Sequence, residues 1–106
     1  MPIDHIVAEK HFAAYEGTGS AGRGMTTWLG VIENCDVCSR PMRSETYMID
    51  GPAQSFADTM WGNLCVICAF KTSPIIGWGQ AQLYKQQEGR WHLIAGGPPP
   101  VNEYGV

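Results

Sequence analysis

Three observations predict a small β-rich fold with a minor helical part, organised around a metal. The four cysteines fall into two tight pairs, Cys35-Asp36-Val37-Cys38 and Cys65-Val66-Ile67-Cys68. Thirteen glycines and seven prolines in 106 residues favour loops and short strands over a helical bundle. Near the C-terminus, Trp91, Leu93 and Ala95 alternate with Arg90, His92 and Ile94, as in a half-buried strand. The length suffices for one small domain with extensions, and the core it can bury is modest.

Taken in order, Ile3 to Glu16 has the spacing of a short amphipathic helix, with Ile6, Val7, Ala14 and Tyr15 on one side. Gly17 to Gly24 reads as a flexible linker. Gly17, Gly19 and Gly22 match a dinucleotide-binding spacing, but no strand precedes them and the βαβ context is missing. Thr26 to Glu33 is rich in β-formers and leads into the first cysteine pair. Glu45 to Asp50 reads as a strand, Asp50-Gly51-Pro52 as a turn, and Ser55 to Leu64 as the run into the second pair. In that run Phe56, Met60 and Trp61 are available to cover the metal. Ala69 to Ser73 allows one short helical turn before Pro74. A β-hairpin follows, with arms Gln80 to Gln86 and Arg90 to Ala95 about a turn at Gln87-Glu88-Gly89. The expected organisation is an N-terminal arm over 1–25, a ribbon domain with hairpin over 26–96, and a Pro-rich tail over 97–106.

A two-residue gap lets both thiolates of a pair face one ion. Cys35, Cys38, Cys65 and Cys68 together supply the four tetrahedral ligands of a structural Zn2+ site. Strand, knuckle, hairpin, knuckle is the outline of a zinc ribbon. A rubredoxin-like iron site uses the same ligands, but its knuckles usually place glycine after the second cysteine, where this chain has Ser39 and Ala69. A thioredoxin-like redox pair needs one accessible pair at a helix start, and duplication of the motif argues against it. Four thiolates leave no open vertex for a water nucleophile, so the metal is expected to be architectural.

The formal charge of −3 speaks against nucleic acid. Between Glu33 and Lys71, five acids (Glu33, Asp36, Glu45, Asp50, Asp58) outnumber Arg40, Arg43 and Lys71, and no basic stripe is present. Met1-Pro2-Ile3-Asp4-His5 carries no basic signal region, and no run approaches the roughly 20 apolar residues of a membrane span. Metallation in a reducing cytoplasm is therefore expected. His5 and His11, six apart, read as surface residues and His92 as solvent-facing. No acid or histidine is placed as a base beside a nucleophile, so catalytic residues are none and the protein is read as a non-enzyme. A ribbon this short is not expected to hide Trp28, Trp61, Trp78 and Trp91 together with Tyr47, Tyr84 and Tyr104. Exposed aromatics without positive charge point to a protein partner.

From Cys35 onward the chain resembles small zinc-ribbon proteins of tailed bacteriophages, mostly of unassigned function. The residues that carry the likeness are Cys35-Asp36-Val37-Cys38-Ser39-Arg40-Pro41, Ile49-Asp50-Gly51, Trp61-Gly62-Asn63-Leu64-Cys65-Val66-Ile67-Cys68, Gly77-Trp78-Gly79-Gln80-Ala81-Gln82-Leu83-Tyr84 and Gly89-Arg90-Trp91. Ala81 stands where glycine is expected, and residues 1–34 have no counterpart. The resemblance implies a phage origin, a zinc ribbon and no catalytic residue. It leads to the expectation of a virion component (minor capsid, decoration or head–tail protein) assembled in the host cytoplasm. Its partners would be phage structural subunits, with self-association into a homo-oligomer as a variant. The alternative expectation is a small cytoplasmic regulator that binds host polymerase or nucleic acid.

Overall fold

The computed structural model describes residues 4–16, 27–28, 31–52, 61–72, 75–77 and 80–97. The glycines of the linker, Phe56, Met60, Trp78, Tyr104 and the tail beyond residue 97 lie outside them. Six elements follow in chain order: α1 (His5–Ala13), β1 (Tyr47–Pro52), β2 (Trp61–Leu64), α2 (Val66–Thr72), β3 (Gln82–Gln87) and β4 (Arg90–Ala95). The strands form one antiparallel sheet in the order β2-β1-β3-β4.

Helix α1 starts where Asp4, in extended conformation, accepts the Ile6 N–H at 2.8 Å through its side chain. Its last turn carries Lys10 and His11, which suit the negative end of the helix dipole. The buried face is not the expected one. Ala8 and Phe12 are fully buried, whereas Ile6 is 62 % exposed and Val7 and Ala14 are also exposed. The reason is helical geometry: the Ile6/Val7/Ala14 side has Lys10 in its intervening turn, while Ala8, His11, Phe12 and Tyr15 make a continuous stripe. That stripe packs on α2, with the His11 ring edge-on to Phe70 at 5.0 Å and to Phe12 at 4.9 Å. Helix α1 is thus part of the core, not an arm that extends from it.

Strand β1 is central and buried at three successive positions, Tyr47, Met48 and Ile49, as a strand covered on both faces must be. One row crosses all four strands, from Leu64 through Ile49 and Leu83 to Ala95, and every member is fully buried. On the opposite face Met48, Tyr84 and Leu93 are register partners, and Trp28 packs edge-on against Tyr84 at 5.7 Å. Adjacent residues Leu83 and Tyr84 can both meet buried partners because a register shift at this point passes over Ile94.

One expected turn and one expected strand resolve differently. Gly51 and Pro52 do not turn the chain; they extend β1 and pair with Gly62 and Trp61. Proline is tolerated there because it ends the strand, where a missing N–H breaks little of the ladder. The β-rich stretch before the first cysteine pair is no full strand in its described part. Thr27 makes a single bridge to His92, and the Trp28 N–H donates to Trp91 O at 2.9 Å. The hairpin forms where expected, but its first arm is Gln82–Gln87: Gln87 pairs with Arg90, which leaves a two-residue turn in which Glu88 (φ 53°) and Gly89 (φ 77°) both adopt the left-handed region.

Polar ties lock the layers together. Tyr47 and Lys85 are cross-strand partners, and both donate to Glu16 just beyond α1. The Lys85 ammonium and the Tyr47 hydroxyl hold the Glu16 carboxyl below its usual range. A second tie centres on Glu45, which is only 9 % exposed: its carboxylate receives His5 Nε2 at 3.0 Å and Arg40 Nε at 3.2 Å. The Gln86 amide donates to its carbonyl at 2.8 Å. His5 is accordingly half-buried and joins α1 to the loop after the first cysteine pair, which corrects its reading as a surface residue. His11 is corrected likewise by its ring contacts, and His92 is half-buried beside the Thr27 hydroxyl at 3.3 Å.

Two predictions come from these features. Gly89→Ala meets no atom within 4 Å and should cost only the left-handed backbone term, roughly 1 kcal/mol. Gly96→Ala should cost clearly more in the same denaturant titration. At Gly96 (φ 85°) an added Cβ lies 3.1 Å from both Gln82 Cα and Ile76 Cγ2, and closer still to the Ala81 carbonyl oxygen. For Glu16, a carboxyl depressed on folding contributes stability above its unfolded pKa and loses it as pH falls through the folded value. Glu16→Gln should therefore flatten the acid limb of a pH–stability profile, by a modest amount because the pair is partly solvated.

Candidate metal centre

The first cysteine pair sits in a knuckle built by its own backbone. Asn34 and Pro41 form an isolated bridge, the Cys35 N–H donates to Arg40 O, and the Ser39 N–H returns to Cys35 O, both at 2.9 Å. Ser39 takes φ 65°, the left-handed step that closes the turn after Cys38, and the Asn34 amide caps its carbonyl at 3.0 Å. A two-way clasp fastens this knuckle to β2. The Asp36 N–H donates to Asn63 O at 3.0 Å, and Asp36 Oδ2 accepts the Asn63 N–H at 2.7 Å. By composition Asp36 is only one acid among five between Glu33 and Lys71. Its position directly after Cys35 is a signal, because short acidic side chains readily cap nearby N–H groups.

The second pair is not a knuckle between strands. Cys65 follows β2 directly, and Cys68 lies in the first turn of α2. The helix closes with the Ala69 N–H on Cys65 O at 2.9 Å, and Thr72 Oγ1 donates to Cys68 O at 3.2 Å. The expected strand–knuckle–hairpin–knuckle order becomes knuckle, hairpin, helix. Apolar burial decides this: Val66, Cys68 and Ala69 all turn inward, a helical pattern that needs α1 as its partner. Ala69 is therefore a helix residue, and the comparison with a glycine-closed knuckle applies to Cys35–Cys38 alone.

All four sulfurs lie within 4.8 Å of one another, and they could hold a metal ion. Cys38 Sγ and Cys65 Sγ are 3.7 Å apart, too far for a disulfide bond of about 2.05 Å. That spacing matches the edge of a tetrahedron with metal–sulfur bonds of about 2.3 Å, which is about 3.8 Å. Cys35, Cys65 and Cys68 are buried and Cys38 is exposed. Among the described residues no histidine or carboxylate joins the cluster.

Burial works against the free thiolates unequally. It pushes the Cys35 thiol up, but the N–H groups of Cys38, Cys65 and Val37, with the Cys38 thiol, bring it down to about 7. Burial pushes Cys65 up to about 11, with the Cys35 charge adding to it, and raises Cys68 further. A cation that binds all four must therefore expel protons, so uptake strengthens as pH rises. The expected aromatic cover is not what the structure has in its described part: Trp61 is 50 % exposed on edge strand β2. Tyr47, Tyr84 and Trp91, counted among the aromatics a short ribbon could not hide, are buried.

No family model, curated protein or solved structure matches the chain. The fold and site thus define the class by themselves: a small compact β-rich domain with a four-strand antiparallel sheet, two helices and a four-cysteine cluster. No helix in the described part is long and apolar enough to cross a membrane.

Removal of one ligand tests the centre. Cys65→Ser should abolish tight metal binding by elemental analysis. Hydrogen exchange should rise first over residues 35–42 and 65–72, which the cluster joins. The β3–β4 hairpin amides should keep their protection, because the row Leu64–Ile49–Leu83–Ala95 does not depend on the metal.

Proposed function

We propose that the chain is a zinc-stapled, non-catalytic module that docks onto other proteins, and in its sharpest form a virion component of a tailed bacteriophage. The observation that carries the reading is the closed sulfur set. Four converging thiolates fill a tetrahedral shell, with three of them buried, so the ion has no vertex to offer a substrate or water. Zinc fits better than a rubredoxin-like iron centre because only one of the two cysteine pairs is a knuckle.

Docking is supported by what the core leaves outside. Ile6, Val7, Val31, Val37, Trp61 and Ile75 are large apolar side chains half exposed or more, while the other aromatics among the described residues are buried or partly buried. The excess of acids speaks for protein over nucleic acid. The phage virion form rests on the resemblance of the cysteine pairs, the Gly77-Trp78-Gly79-Gln80 segment and Gly89-Arg90-Trp91 to small phage zinc-ribbon proteins. Quantitative mass spectrometry of purified virions should find the chain at a fixed copy number per particle. Its absence there, with a salt-sensitive gel shift on nucleic acid, would instead favour a cytoplasmic regulator.

A further inference from the structure

The four sulfurs are unequal in one respect that bears on chemistry: access. Cys65 is fully buried, Cys35 is 2 % and Cys68 7 % exposed, while Cys38 lies at the surface of its knuckle. A solute that attacks the cluster therefore meets Cys38 first. Behind it, at 3.7 Å, stands Cys65 Sγ, on the other side of the joint between knuckle and helix. An exposed cysteine with a buried one next to it is the arrangement in which the first is oxidised and the second resolves it.

We propose that the centre is a peroxide-responsive redox switch in which Cys38 is the attacked sulfur and Cys65 the resolving one, with metal release as the output. The inference rests on the reading of the cluster as a zinc site. In the first step the Cys38 thiolate attacks one oxygen of hydrogen peroxide. An S–O bond forms, the O–O bond breaks, and hydroxide leaves, so Cys38 becomes a sulfenic acid and no longer holds the cation. In the second, the Cys65 thiolate attacks the Cys38 sulfur. The S–S bond forms, the S–O bond breaks, and a second hydroxide leaves. Two thiolates have then supplied the two electrons that reduce one peroxide, and both hydroxides take protons from solvent to give water. Cys35 and Cys68 remain as two ligands, too few for a tetrahedral site, and the ion departs.

The identity of the pair determines what the switch does. A Cys35–Cys38 bond would close inside the knuckle and free it from α2. A Cys38–Cys65 bond joins the same two parts that the metal joined, and the Asp36–Asn63 clasp survives it. The oxidised protein therefore stays folded about its sheet while it loses the ion. What changes is local: the cysteine end of α2 is held by one covalent bond through Cys65 in place of the two ligands Cys65 and Cys68 would give the metal, and Cys68 is released in the helix.

The test uses the full zinc-loaded chain and hydrogen peroxide. One equivalent should release one equivalent of zinc to a chromogenic chelator, with far-UV circular dichroism largely retained. Proteolysis before Asp36 separates Cys35 from Cys38, and fragment spectra then locate the disulfide; Cys38–Cys65 is expected. Dithiothreitol with added zinc should restore the starting state. An independent measurement avoids variants that fail to fold: at low conversion, iodoacetamide should label Cys38 about tenfold more than any other cysteine. A Cys35–Cys38 or Cys38–Cys68 bond, sulfinic acid without a disulfide, or even labelling would overturn the switch and leave the zinc reading intact. A chain that takes up no zinc under reducing conditions would overturn the metal reading itself.

Discussion

Convergence of four sulfurs on one point is the constraint around which the rest is arranged. Each pair alone is a local turn: one closes through Ser39 in a left-handed step, the other through the first turn of α2. Only when the β1–β2 hairpin returns the chain beside its starting point do the pairs meet, with sulfurs within 4.8 Å. The hairpin is therefore as necessary to the centre as the cysteines. The Asp36–Asn63 clasp links them by hydrogen bonds that need no metal.

Beneath the centre lies a core larger than such a short chain led one to expect. The row Leu64–Ile49–Leu83–Ala95 spans the sheet, and a bulge lets β4 meet both buried neighbours Leu83 and Tyr84. Helix α1 adds Ala8 and Phe12, and Glu45 ties that helix to the knuckle exit through His5 and Arg40. A buried carboxylate left without its hydrogen-bond partners is costly, so this junction also fixes orientation. Cluster and core lie at different places: the sheet supplies bulk burial, and the four cysteines converge where the first knuckle meets the start of α2.

Much of this was legible in the residues. Pair spacing identified Cys35, Cys38, Cys65 and Cys68 as one cluster, because two-residue gaps have few other uses. Alternation in Arg90 to Ala95 located β4, and Glu88-Gly89 its turn. What failed had a common cause. Local propensity places Ile6 and Val7 on the inner face of α1 and makes Asp50-Gly51-Pro52 a turn, but in both places a distant partner decides. The helical turn expected at Ala69 to Ser73 starts earlier, at Val66, since α1 offers an apolar surface to Val66, Cys68 and Ala69; nothing between Cys65 and Pro74 announces that surface.

The sequence by itself determined the chemistry on offer: four cysteines in two tight pairs, no basic stripe, a hairpin near the C-terminus. These depend on residue type and on spacing within a few positions. Tertiary structure alone decided that the second pair runs into a helix, that Asp36 clasps Asn63, that Glu45 is buried, and that Cys38 is the exposed cysteine of the four. Each is a property of segments far apart in the chain, and burial, which ranks the sulfurs, exists only once those segments are packed.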